Sequence, residues 1–175
     1  MTDVNFTNRT SLLLQDKNQD CLFEAAELLF FAYRDFISDP DEILAEFDFG
    51  RAHHRVIHFI SRNPGIRVAD LLDILRITKQ SLGRVLKQLI KSGFVFQKEG
   101  PRDRRQRLLY LTEKGAALAA RLAAPQFTRI ENALSEISPE GQAAFLEVLY
   151  KLINPRDRDM VKRTVFGQRL KTGES

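Results

Sequence analysis

The chain has 175 residues, 43% of them apolar and 29% charged, which allows one domain with a sizeable core and excludes a disordered polymer. One cysteine excludes an internal disulfide and fits a reducing compartment, and no stretch approaches the roughly 18 apolar residues needed to span a bilayer. The net charge of +4 is unevenly placed: residues 1–50 hold three Lys/Arg against eleven Asp/Glu, whereas residues 76–107 hold ten against two.

In chain order, Met1–Asp20 is polar, with only Leu12-Leu13-Leu14 to tether it, and is expected to fray. It lacks a cationic start followed by a long apolar run, so a cytoplasmic location is expected. From Asp20 to Ser38, Leu22, Ala26, Leu29, Phe30, Tyr33, Phe36 and Ile37 recur as a wide helical stripe that needs a partner surface. Asp39-Pro40-Asp41-Glu42 breaks that helix, and an acidic stretch, Ile43–Asp48, leads to Gly50 and a helix over Arg51–Arg62. Asn63-Pro64-Gly65 ends this helix by proline and glycine chemistry.

The next stretch, from Pro64 to Gly115, organises the chain. Val68, Leu71, Leu72 and Leu75 mark an amphipathic helix over Arg67–Leu75, followed by a tight Arg76-Ile77 turn. In the helix Thr78–Ser92, Leu82, Val85, Leu86, Leu89 and Ile90 share one face, while Gln80, Gly83, Arg84, Lys87 and Lys91 take the other. Thr78 suits an N-cap and Gly93 a left-handed stop. Two short helices joined by so brief a turn cross steeply, which frees the second to enter a major groove. A hairpin follows, Phe94–Lys98 and Arg107–Thr112, whose loop Glu99–Gln106 carries Arg102, Arg104 and Arg105, with Arg107 at its edge. The net +8 over residues 76–107 is the electrostatic footprint expected for phosphate contact.

Glu113–Glu136 is rich in Ala, Leu and charge, and Pro125 is expected to kink or divide it. Ser138-Pro139-Glu140-Gly141 reads as a helix start, and Phe145, Leu146, Leu149, Leu152 and Ile153 as the last apolar stripe. Asn154-Pro155 is expected to end regular structure, leaving a basic tail, Arg156–Ser175, for which a solvated helix is preferred over a DNA or dimer contact.

Several motifs resemble the MarR family of bacterial transcription regulators: Val68-Ala69-Asp70-Leu71-Leu72, Thr78 to Leu89, and Ser92-Gly93-Phe94-Val95. The most specific is Asp103-Arg104-Arg105 followed by Leu109-Tyr110-Leu111-Thr112-Glu113-Lys114-Gly115. The resemblance covers about residues 20–150 and is strongest from 51 to 120. It implies a mainly α fold with a small β-hairpin wing (α+β), a winged helix-turn-helix flanked by N- and C-terminal dimerisation helices. The corresponding division is residues 1–50 for the tail and first dimerisation helix, 51–115 for the DNA-binding unit, 116–155 for the C-terminal dimerisation helices, and 156–175 for the basic tail.

The function expected is that of a homodimeric regulator that binds double-stranded DNA at a pseudo-palindromic operator. Thr78, Lys79, Gln80, Ser81, Arg84 and Lys87 are the candidate contacts on the recognition helix, with Gln80 and Arg84 aimed at base edges. On the wing the candidates are Arg102, Asp103, Arg104, Arg105 and Arg107. By resemblance, Arg105 enters the minor groove and Asp103 holds the loop in shape. Winged helices also serve as protein-interaction modules without DNA, but such an adaptor has no use for four Arg across residues 102–107.

Cys21 sits where the organic-peroxide-sensing branch of this family places a reactive cysteine, making it the candidate redox sensor. Residues 39–60, however, offer no Tyr as a thiolate partner, and Asp20 and Glu24 place negative charge beside the sulfur, so an ordinary buried Cys is preferred. His54 and His58 lie one helical turn apart with His53 beside them, a spacing that brings two imidazoles to one metal; some relatives bind zinc. No third or fourth ligand is identifiable, and no metal or other cofactor is expected. There is no phosphate-binding glycine loop, nucleophile elbow or recognisable carboxylate pair, which argues against an enzyme. Relatives often bind small aromatic anions; an effector is left open, since no residue identifies one. No membrane partner is expected.

Overall fold

A computed structural model describes residues 19–101, 103 and 105–167. The fraying expected for the N-terminus falls mostly on residues 1–18, and part of the basic tail on residues 168–175, both outside the described residues, as are Arg102 and Arg104. The chain forms two compact units, Met1–Asp39 and Pro40–Ser175. It is mainly helical, with one small antiparallel sheet.

The first unit contributes helix α1, Gln19–Ser38. None of its residues is buried, and Leu22, Phe23, Phe30 and Tyr33 are each at least 59% exposed. Among the described residues of this unit, none covers that apolar face.

The second unit opens with a five-residue helix, α2 (Asp41–Ala45), where the acidic sequence suggested only a connection. Its Leu44 is buried, and this anchor offsets the weak local pattern. Helix α3, Arg51–Arg62, has the bounds read from the sequence. Strand β1, Ile66–Arg67, was not expected, because two residues carry no periodicity; Arg67 belongs to it and precedes helix α4, Val68–Leu75. Helix α5 spans Lys79–Lys91, β2 Val95–Glu99, β3 Arg107–Leu111, α6 Glu113–Ser135 and α7 Pro139–Leu152.

The sheet order is β1-β3-β2, all antiparallel, with Ile66 opposite Leu109 and Gln97 opposite the same residue on the other side. Gly65 makes the approach of β1 possible. It adopts φ +83°, donates its amide to the Leu109 carbonyl at 2.8 Å, and lies where a Cβ would meet the Tyr110 Oη at 2.9 Å.

The core joins Leu44 and Phe49 to Val56, Ile57 and Ile60 of α3, Leu71 and Leu75 of α4, and Leu82, Val85, Leu86 and Leu89 of α5. Phe94, Val95 and Leu109 supply its sheet side, and Leu118 and Leu122 of α6 close it. Ile90, assigned to the packing stripe from its spacing, is instead 38% exposed, at the edge of a face whose centre in the same turn is the fully buried Leu89.

Two further expectations are corrected. Of the kink or division expected at Pro125, division does not occur: α6 runs through it, forfeiting the amide bond to the carbonyl four residues earlier. Asn154-Pro155 does not end regular structure either. Pro155–Asp157 is a 3₁₀ turn and Arg158–Phe166 a further helix, α8, with Pro155 acting as a helix-starting residue.

Candidate nucleic-acid interface

The recognition helix α5 is fixed at both ends by its own sequence. Thr78 accepts the Ser81 amide at 3.1 Å, and its hydroxyl donates to the Ser81 Oγ at 2.9 Å, so both hydroxyls are engaged in the cap. Gly93, at φ +75°, turns the chain out of the helix into β2. Leu82, Val85, Leu86 and Leu89 bury one face, which leaves Lys79, Gln80, Gly83, Arg84, Lys87 and Lys91 exposed on the other.

Three tethers hold this helix from behind. The His53 Nδ1 accepts the Gly50 amide at 3.1 Å, so its proton resides on Nε2, which donates to the Gln88 Oε1 at 2.9 Å. The Gln88 amide nitrogen in turn donates to the Asp48 carbonyl at 3.2 Å, and the imidazole stacks on Phe49 with centroids 4.6 Å apart. At the other end, Lys114 donates to the Ser92 carbonyl at 3.0 Å and lies over the Phe94 ring. Thr112 donates to the Gly93 carbonyl at 2.7 Å while capping α6 through the Gly115 amide at 3.0 Å. The run Leu111-Thr112-Glu113-Lys114-Gly115 thus binds the end of the recognition helix to the start of α6.

In the wing, Arg107 donates to Glu99 at 3.0 Å across the strand pair, so its charge is partly neutralised. Beyond that pair, the Gly100 amide donates to the Gln106 carbonyl and the Gln106 amide to the Asp103 carbonyl, both at 3.0 Å. The Asp103 carboxylate accepts the Arg105 amide at 2.9 Å, an Asx-type bond that stabilises a tight turn. Asp103 and Arg105 are both exposed. Phe96 and Tyr110 stack with centroids 5.4 Å apart under the Lys98 ammonium.

Arg76, counted among the ten cations of the footprint, is paired with Asp157 of the C-terminal segment. The segment's first turn therefore reaches the helix-turn-helix, although no residue of the segment from Pro155 to Phe166 is buried. The roles of Asp157, His53 and Gln88 have no signal in the sequence. There His53 stands out only as a neighbour of the His54 and His58 pair, and nothing local marks Asp157.

The other sensing candidates are dispersed. Cys21 is a half-buried free thiol in α1. Burial, with the neighbouring His58 charge second, holds His54 below its usual range, and burial followed by the Arg62 charge does the same for His58. Their ring centroids are 6.5 Å apart, and no group of three metal-ligating side chains occurs among the described residues. No described helix is long and apolar enough to cross a membrane.

A family model described as the MarR family matches residues 47–106. The HTH-type transcriptional regulator PetP of Rhodobacter capsulatus is 47% identical over 158 residues, 90% of this chain and 94% of that protein. A MarR family transcriptional regulator from Silicibacter pomeroyi aligns with a TM-score of 0.63 at 21% identity, covering 79% of this chain and 88% of that one. A mutant of Escherichia coli MarR complexed with operator DNA aligns with a TM-score of 0.58 at 21% identity, covering 76% and 96%.

Proposed function

This chain belongs to the MarR family of DNA-binding transcriptional regulators, and from that premise we propose that it works as a homodimer on a pseudo-palindromic operator. The observation that carries the proposal is the helix α5, whose apolar face is buried while Lys79, Gln80, Arg84, Lys87 and Lys91 remain exposed, with Arg105 exposed on the wing. The second copy is supported by the uncovered apolar residues of α1 and by Leu146 and Leu152 of α7, 60% and 63% exposed. Two half-sites about one helical turn apart would let each copy place one α5 in the major groove.

Within that frame the residues divide by chemistry. Thr78 and Ser81, whose hydroxyls form the cap, bring the helix N-terminus to the backbone, where its amides favour a phosphate. Lys79 and Lys87 neutralise phosphates, Gln80 and Arg84 address base edges, and Arg105 enters the minor groove from a loop shaped by Asp103. Arg102 and Arg104 add charge to the same loop, and Arg107 contributes less because Glu99 shares it. No catalytic residue is assigned, and the cytoplasm, where a bacterial operator is found, is the proposed site of action. Cys21 is assigned no sensing role, and His54 and His58 no metal.

The test is binding of Arg84→Ala and Arg105→Ala to operator and random duplexes over a salt series. Arg84→Ala is expected to lose roughly 1–3 kcal/mol on the operator and much less on random DNA. Equal losses would make Arg84 a phosphate contact. Arg105→Ala is expected either to flatten the salt slope by about one unit or to lose A·T-rich preference. An unchanged affinity and slope would remove the wing tip from the mechanism.

A further inference from the structure

The C-terminal segment leaves α7 under local control. Arg158 donates to the Lys151 carbonyl at 2.7 Å and the Ile153 carbonyl at 3.1 Å, capping the end of α7, and its guanidinium lies 5.9 Å from the centre of the Tyr150 ring. One residue earlier, Asp157 pairs with Arg76, its carboxyl side chain only 18% exposed. Arg76 is the left-handed residue, φ +51°, that closes α4 two positions before the cap of the recognition helix. A continuous series of contacts therefore runs from α7 through Arg158 and Asp157 to the turn that carries α5.

Around this pair the segment stands away from the winged unit. Clefts of about 850 and 440 Å³ separate Met160 and Arg163 from the α4 side, where Asp73 lines both, and no residue of the 3₁₀ turn or α8 is buried. Its apolar residues Met160 and Val161 are only partly buried, so the ion pair is a principal point of attachment.

We propose that the Arg76–Asp157 ion pair is a positioning pair: it sets the recognition helix relative to α7 and thereby determines which separation of half-sites the protein accepts. The inference rests on the homodimeric operator reading above, in which α7 contributes to the subunit interface. Neither residue needs to touch DNA.

The experiment uses the full chain and duplexes carrying its selected inverted repeat, with the spacer lengthened or shortened one base pair at a time, plus a duplex with one half-site. Wild type should show a sharp spacing optimum. Asp157→Asn should reduce the discrimination between optimal and adjacent spacers about two- to fivefold, the factor matching a partly exposed ion pair, while half-site affinity stays within about twofold. The swapped pair Arg76→Asp with Asp157→Arg should restore the optimum, since aspartate tolerates a left-handed backbone. An unchanged profile in Asp157→Asn overturns the proposal, as does an equal loss on every duplex including the half-site. A wild-type protein indifferent to spacing overturns the operator reading, and this inference with it.

Discussion

Two helical glycines should respond to alanine with opposite signs. A Cβ on Gly115, in the first turn of α6, would lie 2.0 Å from the Phe94 carbonyl oxygen and 3.3 Å from the Leu111 Cβ. That oxygen already accepts the Thr112 amide at 3.1 Å, so it cannot retreat without breaking the junction between β2 and α6. Overpacking of this kind costs about 1–3 kcal/mol or more, and the gain in helix propensity, at most about 1 kcal/mol, offsets only part of it. Gly83, inside α5, has nothing within 4 Å of the corresponding position, so alanine there should gain about 0.8–1.0 kcal/mol. At roughly 2–4 °C per kcal/mol for a chain of this size, a net loss of about 1–2 kcal/mol should make Gly115→Ala melt lower by about 2–8 °C, and Gly83→Ala should melt higher by about 2–4 °C, in thermal denaturation followed by circular dichroism. Because Gly83 lies on the proposed DNA face, its alanine variant should nevertheless bind operator more weakly. A Gly115→Ala protein as stable as wild type would refute the packing argument, and a Gly83→Ala protein with full affinity would show that DNA does not approach the helix there.

Other perturbations probe separate parts of the account. Burial lowers the folded-state values of His54 and His58, so the unfolded chain binds more protons below about pH 6.5. Their contribution to stability is therefore present above that pH and lost as pH falls through the folded values. Melting temperature should drop between pH 7 and 5, and His54→Gln with His58→Gln should flatten that drop; an equally steep profile in the double variant would reject the assignment. Leu146→Asp in α7 should shift sedimentation from dimer toward monomer and reduce operator affinity more than single half-site affinity. A variant that remains dimeric would place the interface elsewhere.

The parts of the fold legible in sequence are those where period and cap coincide. Arg51–Arg62 has proline and glycine at its exit, and Thr78 and Ser138 cap helices whose amides they accept. Ile90 fits the same period but lies at the edge of the buried face, a limit that only the neighbouring elements impose. Ile66–Arg67 becomes a strand because Leu108 and Leu109 arrive from over forty positions away. Asp41–Ala45 depends on burying Leu44 rather than on any local pattern, and its acidic residues conceal it. At the candidate site, the charged face of α5 and the arginine loop stand out by composition. The bonds that aim them do not: Asp157 is 81 positions from Arg76, and Gln88 is 35 from His53.

The most direct test of the central claim is selection of genomic DNA fragments by the purified full chain across a salt series, followed by sequencing of what is retained. The account predicts enrichment of an inverted repeat whose half-sites lie about one helical turn apart, retained at salt concentrations that strip random fragments. Steeply salt-dependent retention with no enriched sequence would contradict it, as would an enriched site without two-fold symmetry.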